Sequence, residues 1–345
     1  RRRRCAWAVA MYAARMLRDL GYRFVPGPSG AASDQVLRRT DDPEVGFQWK
    51  GPADYDALGD AVVAYAQAQM SALCGLAVLP LPLCVSEAHS AVYATEGFEE
   101  QTEPLLLLVC GSAPEGAAGI WGRGLCIDQG LEQGAILGYI LRAQRQGWSV
   151  VVANPNVSEV AGKPVAGSES PHLHLQTLWR SYIERAAARC VLVVAHSHGG
   201  PAVVHLLKVE PSARERIQAV AFADGGAFPP GTLLQEAVPA PGECPPQLRE
   251  RLQAFSQLAP AAFEPPDAEV AEHLSARARN FAPSALPAGA LLDPEREGVL
   301  TLSAGHESPP ATTHAATEEV FAFLLRGAAG EARAANREAA ATPAG

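Results

Sequence analysis

A three-layer α/β fold around a mostly parallel sheet is what this sequence predicts, and three observations predict it. Four apolar runs, LLLLVCG (105–111), WSVVVANPN (148–156), CVLVVAHS (190–197) and IQAVAFADGG (217–226), are bounded by Gly, Pro or Asn, and GVLTLSAGH (298–306) follows later. Continuous β-rich runs without polar alternation mark parallel strands buried on both faces. Helical stretches at 133–146, 173–188 and 199–209 separate them, as βαβ units require. The chain is also long enough for a full core: it has 345 residues, 48% of them hydrophobic and 19% charged.

The elements follow in order. RRRRCAWAVAMYAARML pairs a basic run with a short apolar stretch, as a signal or transit peptide does. No small-residue cleavage site precedes Arg15, so residues 1–16 read as a basic segment, either an amphipathic helix or the remnant of a longer chain. A main domain over 17–326 begins with a helical and extended layer to about residue 104. Within it ADYDALGDAVVAYAQAQM (53–70) sets Leu58, Val62, Tyr65, Ala66 and Met70 at helical spacing, with Asp54 or Asp56 as N-cap. The prolines of LPLPLC (79–84) end that unit. Residues 229–297 are rich in Pro and Ala, with helices expected at 246–258 and 267–280, and read as a lid-like insertion. EEVFAFLLR (318–326) is a closing helix, and the low-complexity stretch 327–345 reads as a disordered tail.

Charge and cysteine usage narrow the function. A net charge of -9 argues against direct nucleic-acid binding, which needs clustered Lys and Arg; the one dense basic run is Arg1–Arg4. No apolar run reaches the roughly 18–20 residues of a membrane helix. The seven cysteines, Cys5, Cys74, Cys84, Cys110, Cys126, Cys190 and Cys244, lack paired spacing. They read as reduced thiols of an intracellular protein, and neither a metal nor a cofactor is expected. His172 and His174, two apart, fall on different faces of a helix and make a poor metal pair.

In open parallel sheets, chemistry collects beyond the carboxyl ends of the strands. The third run ends in Ala195-His196-Ser197-His198-Gly199-Gly200, a strand-turn-helix nucleophile elbow with Ala for the usual first Gly. Small residues belong there because the serine backbone is strained and strand and helix approach closely. Pro201 suits the first turn of the helix. A serine becomes a nucleophile only with a base, and the base needs an orienting acid. Asp224 ends the fourth run and His306 follows the fifth, giving the chain order Ser, Asp, His of α/β-hydrolases. His314 is a rival base in the same loop. An oxyanion hole would use the backbone N–H of His198 and the loop at Gly111 and Ser112. Each piece also has a bland use: Asp224 as a turn residue beside Gly225, His306 as an exposed loop histidine.

The residues resemble the Arb2 (Arb-two) domain family, which includes the Argonaute-siRNA-chaperone subunit and related cotranscriptional regulators. VLVVAHSHGGPAVVHLL is similar to that family's Ala-His-Ser-Tyr-Gly-Gly elbow, with His198 for the Tyr. The stretch 105–156 resembles its segment from the oxyanion strand to an Asn-Pro-Asn loop, and HLQTLW carries its His and Trp as His174 and Trp179. AVAFADGG and LSAGHE match its later strand ends, and DYDALGDAVVAYAQAQM its N-terminal portion, so the resemblance covers about residues 18–325. Two departures stand out: Cys110 occupies the position of the family's oxyanion His, and the spacing from Gly305 to the histidine differs. The resemblance implies an α/β-hydrolase-like scaffold in small-RNA silencing, heterochromatin and splicing control. Partners would be Argonaute-type and chromatin-associated proteins, in the nucleus or cytoplasm. The alternative is an active serine hydrolase cleaving a small ester or amide through Ser197, His306 and Asp224.

Overall fold

A computed structural model of the chain describes residues 2–83, 88–112, 117–224, 267–292 and 298–341. Its centre is an eight-stranded mixed sheet, and two short antiparallel ribbons stand apart from it. In chain order, β1 (Tyr22–Pro26) and β2 (Gln35–Arg39) form the first ribbon. The sheet takes β3 (Ala77–Leu81), β4 (Ser90–Ala94), β5 (Leu105–Val109) and β6 (Ser149–Val152). After the second ribbon, β7 (Glu159–Val160) with β8 (Lys163–Pro164), come β9 (Val191–His196), β10 (Ile217–Ala223), β11 (Ala278–Ala282) and β12 (Leu300–Ser303). The spatial order is β12-β11-β10-β9-β5-β6-β4-β3. Every pair from β12 to β6 is parallel, while β4 and β3 complete the sheet antiparallel.

All five expected strands are present, and β5, β6 and β9 are buried along their whole length. Side-chain alternation divides them between two cores. Leu106, Leu108, Leu192 and Val194 face one, beside Ile120, Trp121 and Phe321, while Leu105, Leu107, Val191 and Val193 face the other, beside Trp179, Val203 and Leu206. Helices cover both faces, which completes three layers.

Three elements differ from the sequence expectations. The helix Pro52–Ala72 starts at Gly51, without a side-chain cap: Pro52 opens it and Asp54 falls in its first turn, while Asp56 pairs with Arg123 at 3.2 Å. The expected helix over 267–280 stops at Arg277, and the chain then enters the sheet as β11 between β10 and β12. ARNFA has one large apolar residue and no β-branched one, so its strand state comes from its neighbours rather than its propensity. The rest of the lid-like stretch lies largely outside the described residues, including the helix expected at 246–258.

The low-complexity tail is ordered from Ala332 to Ala341 as a helix. Ala, Arg and Glu are strong helix formers, so the same biased composition that suggests disorder also favours this state once a docking surface exists. Ala332 and Ala335 are buried, and Asn336 accepts from Arg279 Nε at 3.0 Å while donating to the Ala278 carbonyl at 3.1 Å. Arg279 also donates to the Ala335 carbonyl at 2.7 Å and lies over the Phe323 ring, and burial lowers its pKa to about 10. A buried cation is thus held by neutral acceptors. Asn336→Ala is therefore expected to lose about 1–3 kcal/mol in denaturant unfolding, by stranding Arg279 Nε. An unchanged midpoint would show that the helix does not dock in solution.

Candidate active site

The helix Gly199–Val209 leaves β9 through a turn centred on Ser197, whose φ is 48°. A non-glycine residue in this left-handed region costs on the order of 1 kcal/mol, and surrounding contacts must hold it there. Those contacts are on both sides. Ser197 N–H donates to the Ala223 carbonyl at 2.9 Å, tying the turn to the end of β10, and Gly200 N–H donates to the Ser197 carbonyl at 3.0 Å. A Cβ on Gly199 would sit 2.8 Å from the Cys110 carbonyl oxygen and 2.9 Å from that of Val109. The start of the helix is pressed against the end of β5 with no room for a side chain.

That approach delivers the loop after β5 to the serine. A Cβ on Gly111 would lie 3.3 Å from Ser197 Cβ and 3.2 Å from His196 Nδ1. Ser112 Oγ and Ser197 Oγ each lie 3.3 Å from His198 Nδ1. Ser197 and His198 are half-buried. His198 is kept below the usual histidine range by burial, so its ring is neutral near pH 7 and one nitrogen accepts. Its backbone opens the helix, where the N–H groups and the dipole favour a negative charge.

Asp224 follows β10, the strand beside β9, with φ of 50° and its N–H on the Phe281 carbonyl at 2.9 Å. Burial raises its carboxyl to about 6. His306 is exposed, and its Nδ1 accepts the Ser308 N–H at 3.0 Å. His314 is half-buried in the short helix Thr312–Ala315. No hydrogen bond among the described residues joins either ring to Ser197 or Asp224. His306 follows β12, which lies three strands from β9 in the sheet. The structure therefore gathers Ser197, His198, Gly111 and Ser112 at one point, with Asp224 one strand away.

Two residues that motif reading did not place in the site hold it together. Asn156 donates from Nδ2 to the Gly111 carbonyl at 2.6 Å, fixing the loop beside the serine. Its own loop is fixed by His174, fully buried, whose Nε2 accepts the Asn154 N–H at 3.1 Å. That leaves the proton on Nδ1, which donates to Ser168 Oγ at 2.8 Å, and Ser168 donates to the Val157 carbonyl at 2.8 Å. Their signal in the sequence was the Asn-Pro-Asn stretch and the His before the elbow, which show no chemistry of their own. Cys110 is buried, and its thiol is pushed up to about 12, so it is an inert packing group. Among the described residues no cluster of three or more His, Cys, Asp or Glu side chains is arranged to hold a metal.

The Arb2 domain family model matches residues 16–161. A FAM172 family protein homolog of Caenorhabditis elegans is 32% identical over 228 residues, covering 65% of this chain and 69% of that protein. The chain belongs to the Arb2 (FAM172) family. The cotranscriptional regulator ARB2A of Mus musculus is 26% identical over 226 residues, 49% of this chain and 54% of that protein. This Arb2 family chain thus spans about half the length of that vertebrate relative. Among solved structures it is similar to a histone deacetylase from Saccharomyces cerevisiae, with TM-score 0.48, 14% identity, and 81% of this chain and 99% of the other covered. It is also similar to AbyA5, with TM-score 0.47, 17% identity, and 85% and 79% covered.

Burial lowers the His174 pKa to about 3 and, with His198 nearby, that of His196 to about 4. In the unfolded chain both titrate near 6.5, so their neutral forms contribute stability that is full above that pH. It is lost as pH falls toward the folded values, at about 1.4 kcal/mol per unit for each proton taken up only by the unfolded chain. Asp224 acts in the opposite sense: its raised pKa relieves a penalty as pH falls from about 6 to its unfolded value. The gap in unfolding free energy between wild type and His174→Gln is expected to narrow steadily from pH 6.5 toward 4. A gap independent of pH would remove His174 as the titrating lock.

Proposed function

We propose that this chain regulates gene expression through protein partners, chromatin-associated and Argonaute-type, using the hydrolase-like fold as a platform in the nucleus. The observation that carries the reading is the elbow serine, whose hydroxyl lies against His198 and makes no hydrogen bond to His306 or His314 among the described residues, in a chain similar to cotranscriptional regulators. A scaffold needs the fold but not the proton relay. The net charge of -9 favours protein partners over direct nucleic-acid contact. Pull-down from nuclear extract is expected to recover an Argonaute protein and chromatin proteins equally with wild type and Ser197→Ala. Recovery of none, or loss in Ser197→Ala, counts against the platform.

A second reading, a serine hydrolase acting on a small ester or amide, is favoured by the strained Ser197 backbone, a feature that commonly marks function. Closure of the loop over 304–316 would bring His306 or His314 to Ser197, with Asp224 orienting the ring, while the N–H groups near Gly111 and His198 receive the oxyanion. Fluorophosphonate labelling separates the two. The hydrolase reading expects label on Ser197, absent in Ser197→Ala and slowed at least tenfold in Asp224→Asn and in one histidine variant. Folded protein that stays unlabelled leaves the platform alone standing.

A further inference from the structure

β3 is the last strand of the sheet, and beside it runs a groove of about 840 Å³. The N-terminal helix Arg2–Asp19 forms one wall, β3 the other, and the helix Pro52–Ala72 lies between them. The two helices meet through small residues, Ala10 and Ala13 with Ala68. Val9, Tyr12 and Met16, spaced i, i+3, i+7, turn one face of the first helix to the groove. Val9 is 57% exposed, Tyr12 67%, and Val78 on the β3 wall 55%. Among the described residues no charged side chain lines it.

The backbone at Val78 is open as well. In an antiparallel ladder, opposed residues alternate between pairs that exchange both hydrogen bonds and pairs that exchange none. Thr95 N–H donates to the Val150 carbonyl of β6 at 2.9 Å, so Tyr93, two residues earlier, also presents its N–H and C=O to β6. Val78 stands opposite Tyr93, and its own N–H and C=O therefore point outward from the sheet edge. Pro80 agrees with this parity: it has no N–H, and its carbonyl accepts from Tyr182 Oη at 2.6 Å. Pro80 also blunts the edge against a long ladder. One residue's hydrogen-bonding pair is left, beside an uncharged apolar groove.

Three features choose the occupant. A charge entering the groove would lose its water and gain no counter-ion, which selects uncharged apolar side chains. Val9, Tyr12 and Val78 together expose well under the roughly 800 Å² that each partner of a stable dimer buries, which selects a short segment over a second copy. An outward N–H and C=O on an edge strand are met by an extended backbone, whose alternate side chains then face the groove. We propose that the β3 edge receives a short extended segment of a partner protein, with uncharged apolar residues at alternate positions. The proposal rests on the platform reading for its partner class and names one contact of that platform.

Fluorescence anisotropy on the full chain tests it, using a labelled octapeptide of alternating Val and Thr with a Lys at each end. This peptide is expected to bind at least tenfold tighter than the same peptide with Lys for each Val, or with its central amides N-methylated. Val78→Pro, which removes an N–H the sheet does not use, and Tyr12→Glu each weaken binding at least tenfold. Met11→Glu, at a neighbouring residue 57% exposed and outside the groove, leaves it unchanged. No binding, equal affinity for the N-methylated peptide, or indifference to Tyr12→Glu overturns the assignment. A wild-type dimer in sedimentation that Tyr12→Glu converts to monomers overturns it too, reassigning the face to a second copy. Should Val78→Pro not fold, Tyr12→Glu against Met11→Glu decides. A chain that binds the peptide and captures no nuclear protein keeps this edge and loses the platform; the reverse result keeps the platform and loses the edge.

Discussion

Everything at the carboxyl end of this sheet depends on one steric constraint: position 199 has no space for a β-carbon. With the Cys110 and Val109 carbonyls 2.8 and 2.9 Å from where it would sit, the helix after β9 lies directly against the end of β5. That contact forces the serine backbone through the left-handed region and brings Gly111 against it. Strain at Ser197 is offset by ordinary hydrogen bonds on either side, from its own N–H to β10 and from Gly200 back to its carbonyl. The elbow is thus a product of packing, and it would be present whether or not the hydroxyl ever attacks a carbonyl.

A chain of neutral hydrogen bonds supports it from behind. His174 orders the loop at Asn154, Asn156 reaches from that loop to the Gly111 carbonyl, and Gly111 faces the serine. Because His174 uses one nitrogen as acceptor and the other as donor, only the neutral tautomer satisfies both partners. Supporting a site with an uncharged imidazole in a dry core makes its geometry a function of pH, without any of these groups touching a substrate.

His196 stands in contrast, with both ring nitrogens buried and unpartnered among the described residues beside the edge of Trp121. Arg279 shows a third solution to buried polarity, a cation held by an amide, a carbonyl and an aromatic face. Such polar groups in a mostly apolar interior specify how the terminal helix docks, since an apolar surface alone would accept several orientations.

The apolar runs and their Gly, Pro and Asn boundaries determined the parallel strands, the elbow and the ends from which Ser197 and Asp224 emerge, because a buried strand writes its environment into consecutive residues. The Asn-Pro-Asn stretch and the histidine before the elbow were visible, but nothing local says that one orders the other. Tertiary structure alone decided that ARNFA is a strand and that an alanine-rich tail is a docked helix. The physical reason is common to both: ARNFA has no strong preference, and helix and coil compete on equal terms in the tail. Chain order fixes which edge of the sheet a residue belongs to; only packing across the sheet fixes where its ring points.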